Sequence, residues 1–144
     1  MAGRGVIVDE STAFGARVAA HLREEIVVWM TTVTPSGAPL PMPVWFLWEG
    51  GESVRMFSRE SPRVRNLEAN PHVSLNFDGD GRGGGIIVLS GRATVDRDGP
   101  RADQVGAYIE KYADHIERLA HTPESFGGTY AVPIRIELTK LRGH

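Results

Sequence analysis

The side chains best suited to bind a ligand lie around a predicted helix start at Ser61-Pro62. Ser is a common N-cap residue, and Pro at the first helical position forfeits no hydrogen bond that the helix needs. Three arginines are close by in sequence: Arg59, Arg63 and Arg65. Free amides at a helix N-terminus attract anions, and guanidinium groups add charge-assisted hydrogen bonds to phosphate. The stretch therefore has the chemistry of a phosphate site, although spacing alone favours a solvated basic helix.

The same stretch predicts a strand, a short helix and a second strand. Residues 56–58 close an apolar run that is typical of a strand. Val64 and Leu67 share one helical face, and Asn70-Pro71 ends the helix because the residue before a proline disfavours helical geometry. Residues 72–77 then alternate between apolar and polar side chains, as a strand does. The arginines are therefore predicted to crowd a turn between a strand and a helix N-terminus.

Strand patterns dominate the rest of the chain. Runs rich in β-branched, aromatic or alternating apolar residues predict further strands over 26–33, 40–49, 53–58, 86–95 and 130–141. Pro41 and Pro43 cannot donate ladder hydrogen bonds, so part of the strand that contains them is expected at an edge or a bulge. A hairpin turn is predicted over 49–52.

Two longer helices are predicted from apolar residues at helical spacing. The first covers 11–25 and is expected to be capped by Asp9 or Ser11. The second covers about 101–119, and a loop is predicted over 120–128. The apolar face of the second helix consists of Val105, Tyr108, Ile109, Tyr112 and Ile116. Because strands dominate and short turns can join them, the order of elements favours an antiparallel barrel with appended helices.

Length and composition describe an ordinary globular domain. The chain has 144 residues, of which 41% are hydrophobic and 24% charged. We therefore expect one domain over 1–144, with residues 1–9 as a loose N-terminal arm. The formal net charge of -2 gives no general attraction to nucleic acid or to a membrane surface. Among the basic residues only Lys111 and Lys140 are not Arg, which is the better residue for bidentate phosphate binding.

Several classes of chemistry are excluded by what the sequence lacks. There is no cysteine, which excludes disulfides, thiolate catalysis and Cys-ligated metals. None of the five histidines forms a metal-binding HxH or HExxH pair, and no GxSxG elbow is present. No segment has the length of a signal peptide core or a transmembrane helix, so a cytoplasmic protein is expected. A chain with a binding site but no reactive side chains is expected to take its chemistry from a cofactor.

The three tryptophans have different expected roles. Trp29 and Trp48 are expected to pack in the core or at an interface, which is the common fate of Trp in strands. For Trp45, packing and the formation of a flat wall for a planar ring system weigh about equally.

Five short motifs follow one another in a specific order and spacing: 34–39 (TPSGAP), 43–46 (PVWF), 61–67 (SPRVRNL), 70–75 (NPHVSL) and 90–93 (SGRA). Together they resemble the pyridoxamine 5′-phosphate oxidase-like split β-barrel proteins, and within these the actinobacterial branch that uses the deazaflavin coenzyme F-420. Residues 135–143 also resemble the last strand of that family. The resemblance implies a mainly β fold, an antiparallel split β-barrel.

The resemblance also implies a homodimer with flavin-type cofactors in clefts at the dimer interface. It places the cofactor phosphate on Ser58, Ser61, Arg63 and Arg65, and the cofactor ring along Pro43, Val44 and Trp45. Ile86 stands where FMN-binding oxidases of the family often carry glutamine. The residues with which those oxidases bind pyridoxal phosphate are not apparent, so vitamin B6 oxidation is not expected.

The leading hypothesis from the sequence is an oxidoreductase in which reduced F-420 passes hydride to a small organic acceptor. No side chain of the protein is assigned a catalytic role, and no metal is expected. Three alternatives stay open: an FMN-binding reductase or oxidase on the same fold, a non-catalytic carrier of a flavin or deazaflavin, and a barrel that binds no cofactor.

Overall fold

The structure, a computed structural model, describes residues 6–144 and folds around one seven-stranded antiparallel sheet. The strands are β1 Val27–Val33, β2 Pro39–Trp45, β3 Leu47–Trp48, β4 Ser53–Ser58, β5 His72–Asn76, β6 Ile87–Val95 and β7 Val132–Gly143. Their order across the sheet is β2-β1-β5-β6-β7-β4-β3. The helices are α1 Ala13–Glu24, α2 Pro62–Ala69, α3 Gly106–Arg118 and α4 Pro123–Thr129. The predicted fold, a mainly β split barrel with appended helices, is confirmed.

The proline-rich strand lies at an edge of the sheet, as predicted. Strand β2 pairs only with β1, with Pro41 opposite Thr31 and Pro43 opposite Trp29. The single strand predicted over 40–49 is wrong, however, because Phe46 leaves the ladder and divides it into β2 and β3. The Tyr112 hydroxyl accepts a hydrogen bond from the Phe46 amide at 2.9 Å. Helix α3 therefore supplies a hydrogen-bond acceptor for the Phe46 amide in place of a neighbouring strand.

Two apolar clusters stabilise the fold. The larger one lies within the sheet and beneath α1, whose Val18 and Leu22 are fully buried. The smaller one joins β4 to the helices and consists of Phe57, Ala102, Tyr108, Tyr112, Ile116 and Phe126. The predicted apolar face of the second helix is confirmed, since three of its members are buried and Val105 and Ile109 pack against the same cluster. Burial of these aromatic rings provides much of the driving force that holds α3 on the sheet.

Several predicted boundaries and caps in the helical regions are wrong. Residues 120–128 do not form a loop throughout, because α4 begins at Pro123 with Thr122 as its N-cap. The helix predicted from 101 starts as the 3-10 turn Ala102–Gln104, and α3 begins only at Gly106. The N-cap of α1 is Thr12 rather than Asp9 or Ser11, since the Thr12 side chain accepts from the amide of Gly15.

Part of the predicted N-terminal arm can be described. Residues 1–5 lie outside the described part of the chain, whereas Ile7 packs against the larger cluster and Val8 is buried in it. Within the described range, no helix combines the length and apolar character needed to cross a membrane.

Candidate functional site

A cleft with a volume of about 370 Å³ lies between the start of α2 and the smaller apolar cluster. Ligand pockets of proteins typically fall between ~300 and ~1,000 Å³, so the cleft has room for a small organic ligand. The lining residues are Pro43, Val44, Trp45, Phe57, Ser58, Arg59, Ser61, Arg63, Tyr108, Leu119, Phe126 and Tyr130. Six of the seven residues that the sequence assigned to the cofactor are therefore brought together here.

Ser61 and Arg63 contribute buried polar atoms to the cleft. Neither the Ser61 hydroxyl nor the Nε atom of Arg63 makes a hydrogen bond with any residue from 6 to 144. Ser61 occupies the N-cap position of α2 and Pro62 the first helical position, as predicted. The expectation that the Ser61 hydroxyl caps the helix is wrong, because its side chain makes no cap hydrogen bond. Both donors are thus left available to a ligand, and buried polar atoms of native proteins seldom stay unpaired.

The electrostatic character of the cleft is cationic. Burial lowers the pKa of Arg63, because the low-dielectric surroundings disfavour its charge. No acidic residue of the described chain lines the cleft, and no ion pair is found there for Arg63. A ligand anion would offset this desolvation cost and satisfy the free donors. The arrangement therefore fits a phosphate group, and it does not fit a cation.

Among the other residues considered for phosphate binding, the structure favours different ones from those that the sequence favours. The hydroxyl of Ser58 is buried and donates to the carbonyl oxygen of Arg59 at 2.8 Å, so that its proton is already used. The family resemblance assigned no cofactor contact to Arg59, yet Arg59 lines the cleft with its guanidinium 5.0 Å from the centroid of the Tyr130 ring. Arg65 points elsewhere: it is exposed and does not belong to the lining.

Trp45 both packs in the protein and forms a wall of the cleft. Its ring stacks on Tyr112 with 4.5 Å between centroids and 6° between planes. It also stacks on Phe126 at 5.5 Å, and Phe126 in turn stacks on Tyr130 at 4.5 Å. Because the stacked rings cover one another's faces, they line this side of the cleft with apolar ring edges. Ring edges suit edge-to-face contact with an aromatic ring system.

Trp29 and Trp48 lie outside the cleft lining, and each indole nitrogen already has a partner. The Trp29 indole donates to Asp78 Oδ1 at 3.1 Å, and the Trp48 indole donates to the Gly51 carbonyl at 3.1 Å. Residues 6–144 contain no group of three or more histidine and acidic side chains that could hold a metal ion.

The sequence assigned no ligand role to the residues that α3 and α4 contribute to the cleft. They are Tyr108, Leu119, Phe126 and Tyr130. Tyr108 was identifiable as a member of an apolar helical face, but not as part of a binding surface. The aromatic wall arises from tertiary packing of these helices on β4, for which the sequence carries no local signal.

Tyr108 and Tyr112 differ sharply in the state of their hydroxyl groups. The Tyr112 hydroxyl accepts from the Phe46 amide and lies 2.6 Å from the Ile26 carbonyl oxygen, to which it donates. The Tyr108 hydroxyl is buried and has no hydrogen-bond partner in the described part of the chain. Burial raises the pKa of both groups far above the usual value, so that each hydroxyl stays protonated.

Comparison with known proteins adds independent information. The sequence profile of the pyridoxamine 5′-phosphate oxidase family matches residues 14–142. No curated protein matches the chain significantly.

Solved structures share the fold. A conserved hypothetical protein from Mycobacterium tuberculosis is 22% identical with a TM-score of 0.68, covering 99% of this chain and 88% of its own. An F-420 reductase is 25% identical with a TM-score of 0.57, covering 85% of this chain and 94% of its own. The haem storage protein HutZ from Vibrio cholerae is 18% identical with a TM-score of 0.62, covering 92% and 95% of the two chains. The first and third of these likenesses concern the fold alone.

Proposed function

The chain belongs to the pyridoxamine 5′-phosphate oxidase family, and from this premise we propose that it is an oxidoreductase that binds coenzyme F-420 in the cleft and reduces a small organic acceptor. The family and the likeness to an F-420 reductase support a flavin-type cofactor and a redox activity. The choice of F-420, the acceptor and the direction of hydride transfer belong to the proposal.

One observation carries the proposal: an aromatic wall and two buried donor atoms that have no partner among the described residues, those of Ser61 and Arg63, line the same cleft. A ligand that combines a planar ring system with a phosphate satisfies both features. Each charge-assisted hydrogen bond to the phosphate contributes roughly 1.5–3 kcal/mol. Neither a purely apolar ligand nor a cation would satisfy the donors.

The side chains of the cleft would have separate tasks. Ser61 and Arg63 would hold the phosphate, and Arg59 at the rim would add positive charge. Pro43, Val44 and Trp45 would border the ring and exclude water from it. When bound, reduced F-420 supplies the hydride. We assign no acid, base or nucleophile of the protein to the reaction. Arg65 would contribute long-range charge rather than a contact, since it is exposed.

We further propose that the protein is a homodimer whose cleft adjoins the partner, and that it acts in the cytoplasm. Support for an interface comes from the outer strand β2, where Leu40 and Met42 are 42% and 47% exposed. Exposed apolar residues on an edge strand favour pairing with another chain. The three prolines of β2, at positions 39, 41 and 43, limit simple ladder extension, so side-chain packing is the expected mode.

FMN is the second candidate cofactor, because it also joins a phosphate to a three-ring system. The unpartnered donors favour either coenzyme equally. Ile86 distinguishes them only indirectly, since it replaces the glutamine that FMN-binding oxidases often carry. A non-catalytic carrier would use the same contacts, and it would differ only in lacking turnover.

Two linked measurements test the proposal. F-420 and FMN are titrated side by side into the cofactor-free protein, with F-420 expected to bind at micromolar or tighter Kd and FMN more weakly. Oxidation of reduced F-420 is then followed by the rise of the absorbance band of the oxidised coenzyme, with a panel of alkenes, quinones and nitroaromatic compounds as acceptors. Tighter binding of FMN would overturn the F-420 assignment. Tight F-420 binding without turnover on any acceptor would favour the carrier.

A further inference from the structure

Tyr108 has an unsatisfied hydroxyl in an otherwise well-packed surrounding. The residue is 0% exposed and lies on the apolar face of α3, where its ring meets Phe57 edge-on at 4.8 Å. The phenol nevertheless makes no hydrogen bond with any described residue. A phenylalanine would pack in the same way without a desolvated hydroxyl. The presence of tyrosine here therefore needs an explanation other than packing.

The position of Tyr108 supplies this explanation. Tyr108 lines the same cleft as Ser61 and Arg63, whose buried donors are also unpartnered. Its ring packs on Phe57, the residue that directly precedes Ser58 at the end of β4. Within the described chain, three residues whose buried donors have no partner thus line one cleft, and they come from two different helical segments. Because burial raises the pKa of Tyr108, the hydroxyl stays a neutral donor rather than a competing anion.

We propose that the Tyr108 hydroxyl is a further ligand-binding group, which donates a hydrogen bond to the phosphate of the cofactor from α3. This inference rests on the proposed function, in that the ligand carries a phosphate. It extends the site beyond the α2 turn and makes α3 a part of it. Phosphate binding then satisfies the three buried donors together, and it joins the α2 turn to α3.

The test separates the phosphate from the ring by comparing matched ligands. Tyr108→Phe removes only the hydroxyl, and the probes are F-420, its ribityl deazaflavin analogue without the phosphate, FMN and riboflavin. The Kd of the phosphorylated ligands is expected to rise about tenfold. The Kd of the phosphate-free ligands is expected to stay within about twofold, because their contacts are kept. The melting temperature of the ligand-free variant is expected to be unchanged or higher, since no existing hydrogen bond is lost.

Tyr112→Phe is the matched control, because it removes a hydroxyl that has partners. Its ligand-free melting temperature is expected to fall, and the ratio of Kd values with and without phosphate is expected to stay the same. An equal loss of affinity for phosphorylated and phosphate-free ligands in Tyr108→Phe would overturn the inference, as would no loss for either.

The outcomes also separate this inference from the proposed function. If FMN binds, F-420 does not, and Tyr108→Phe weakens FMN but not riboflavin, then the inference holds and the F-420 assignment is wrong. If F-420 binds and Tyr108→Phe has no selective effect, the F-420 assignment stands and the inference is wrong. A wild-type protein that binds none of the four probes would overturn both.

Discussion

Replacing Ser61 with alanine is expected to weaken ligand binding while leaving the stability of the ligand-free protein unchanged. Ser61 is the N-cap of α2, where an exchange of Ser for Ala ordinarily costs ~1 kcal/mol. Here the hydroxyl makes no cap hydrogen bond, and no other described residue pairs with it. The carbonyl oxygen of Ser61 accepts from the Val64 amide at 3.1 Å, and this backbone bond survives the substitution. The free energy of unfolding is therefore expected to change by less than about 0.5 kcal/mol.

Thr12→Ala is the matched control at the N-cap of α1. The Thr12 side chain accepts from the Gly15 amide at 2.9 Å, so its removal is expected to cost ~1 kcal/mol. Both variants are unfolded with urea and followed by circular dichroism at the helix band. Equal slopes of the two transitions would allow their midpoints to be compared directly.

In contrast to its small effect on the free energy of unfolding, Ser61→Ala is expected to weaken ligand binding strongly. Loss of one hydrogen bond to a charged phosphate costs roughly 1.5–3 kcal/mol, which corresponds to about a 10- to 100-fold rise in Kd. The assay is a titration of the phosphorylated coenzyme into each variant, with Thr12→Ala expected to bind as wild type. A Ser61→Ala protein that loses stability as Thr12→Ala does, but keeps its affinity, would show that the hydroxyl serves the helix and not the ligand.

Three further predictions concern the surroundings of the cleft. Tyr112→Phe leaves the buried Phe46 amide without its acceptor, and urea denaturation is expected to show a loss of ~1–3 kcal/mol; an unchanged midpoint would contradict the assigned hydrogen bond. Burial lowers the pKa of Lys111 to about 8 from 10.5, so the folded state binds fewer protons than the unfolded state between these values. Stability is therefore expected to rise as pH increases through 8 toward 10.5, and Lys111→Met is expected to flatten this rise; an equal slope in both proteins would exclude Lys111 as its source. Met42→Lys places a charge on the exposed face of β2 and is expected to convert a dimer into a monomer in light scattering after size exclusion, whereas a wild-type monomer would disprove the proposed dimer.

Local patterns predicted most strands of the fold, because period-two alternation and proline positions report directly on the sheet. Pro41 and Pro43 marked the edge strand correctly, since a missing amide proton excludes the interior of a ladder. The break at Phe46 was not predictable, because its amide is satisfied by the Tyr112 hydroxyl 66 residues away. A contact so distant in sequence leaves no trace in the local pattern.

Helix α4 escaped prediction for a physical reason. It contains Gly127 and Gly128, which have poor helix propensity. The favourable signals were confined to its start: the capping pair formed by Thr122 and Ser125, Pro123 at the first helical position and Glu124 in the first turn. A Cβ at Gly127 would lie 2.3 Å from the Oδ1 atom of Asp103, so a larger residue would have to displace the Asp103 side chain. The glycine thus permits a close approach between α4 and the 3-10 turn and lowers the local helix propensity.

The candidate site was predictable in part from residue types. Ser61 and Arg63 could be chosen from helix-start chemistry and family resemblance, and the cleft contains both. The same reasoning favoured Arg65 over Arg59, although of these two arginines it is Arg59 that lines the cleft. Helical spacing does not decide which of two nearby arginines faces a cavity when the cavity is formed by distant helices. The aromatic wall from α3 and α4 could not be predicted for the same reason.

The central claim is that Arg63, a half-buried residue whose buried Nε atom has no partner among the described residues, binds the phosphate of a flavin-type coenzyme in this cleft. Its most direct test is a titration of F-420 into wild type and Arg63→Ala, with Arg65→Ala as a control that removes the same charge from the exposed side of the helix. We expect Arg63→Ala to raise the Kd about 10- to 100-fold and Arg65→Ala to raise it less than about threefold. Equal affinity of wild type and Arg63→Ala for both F-420 and FMN would contradict the account.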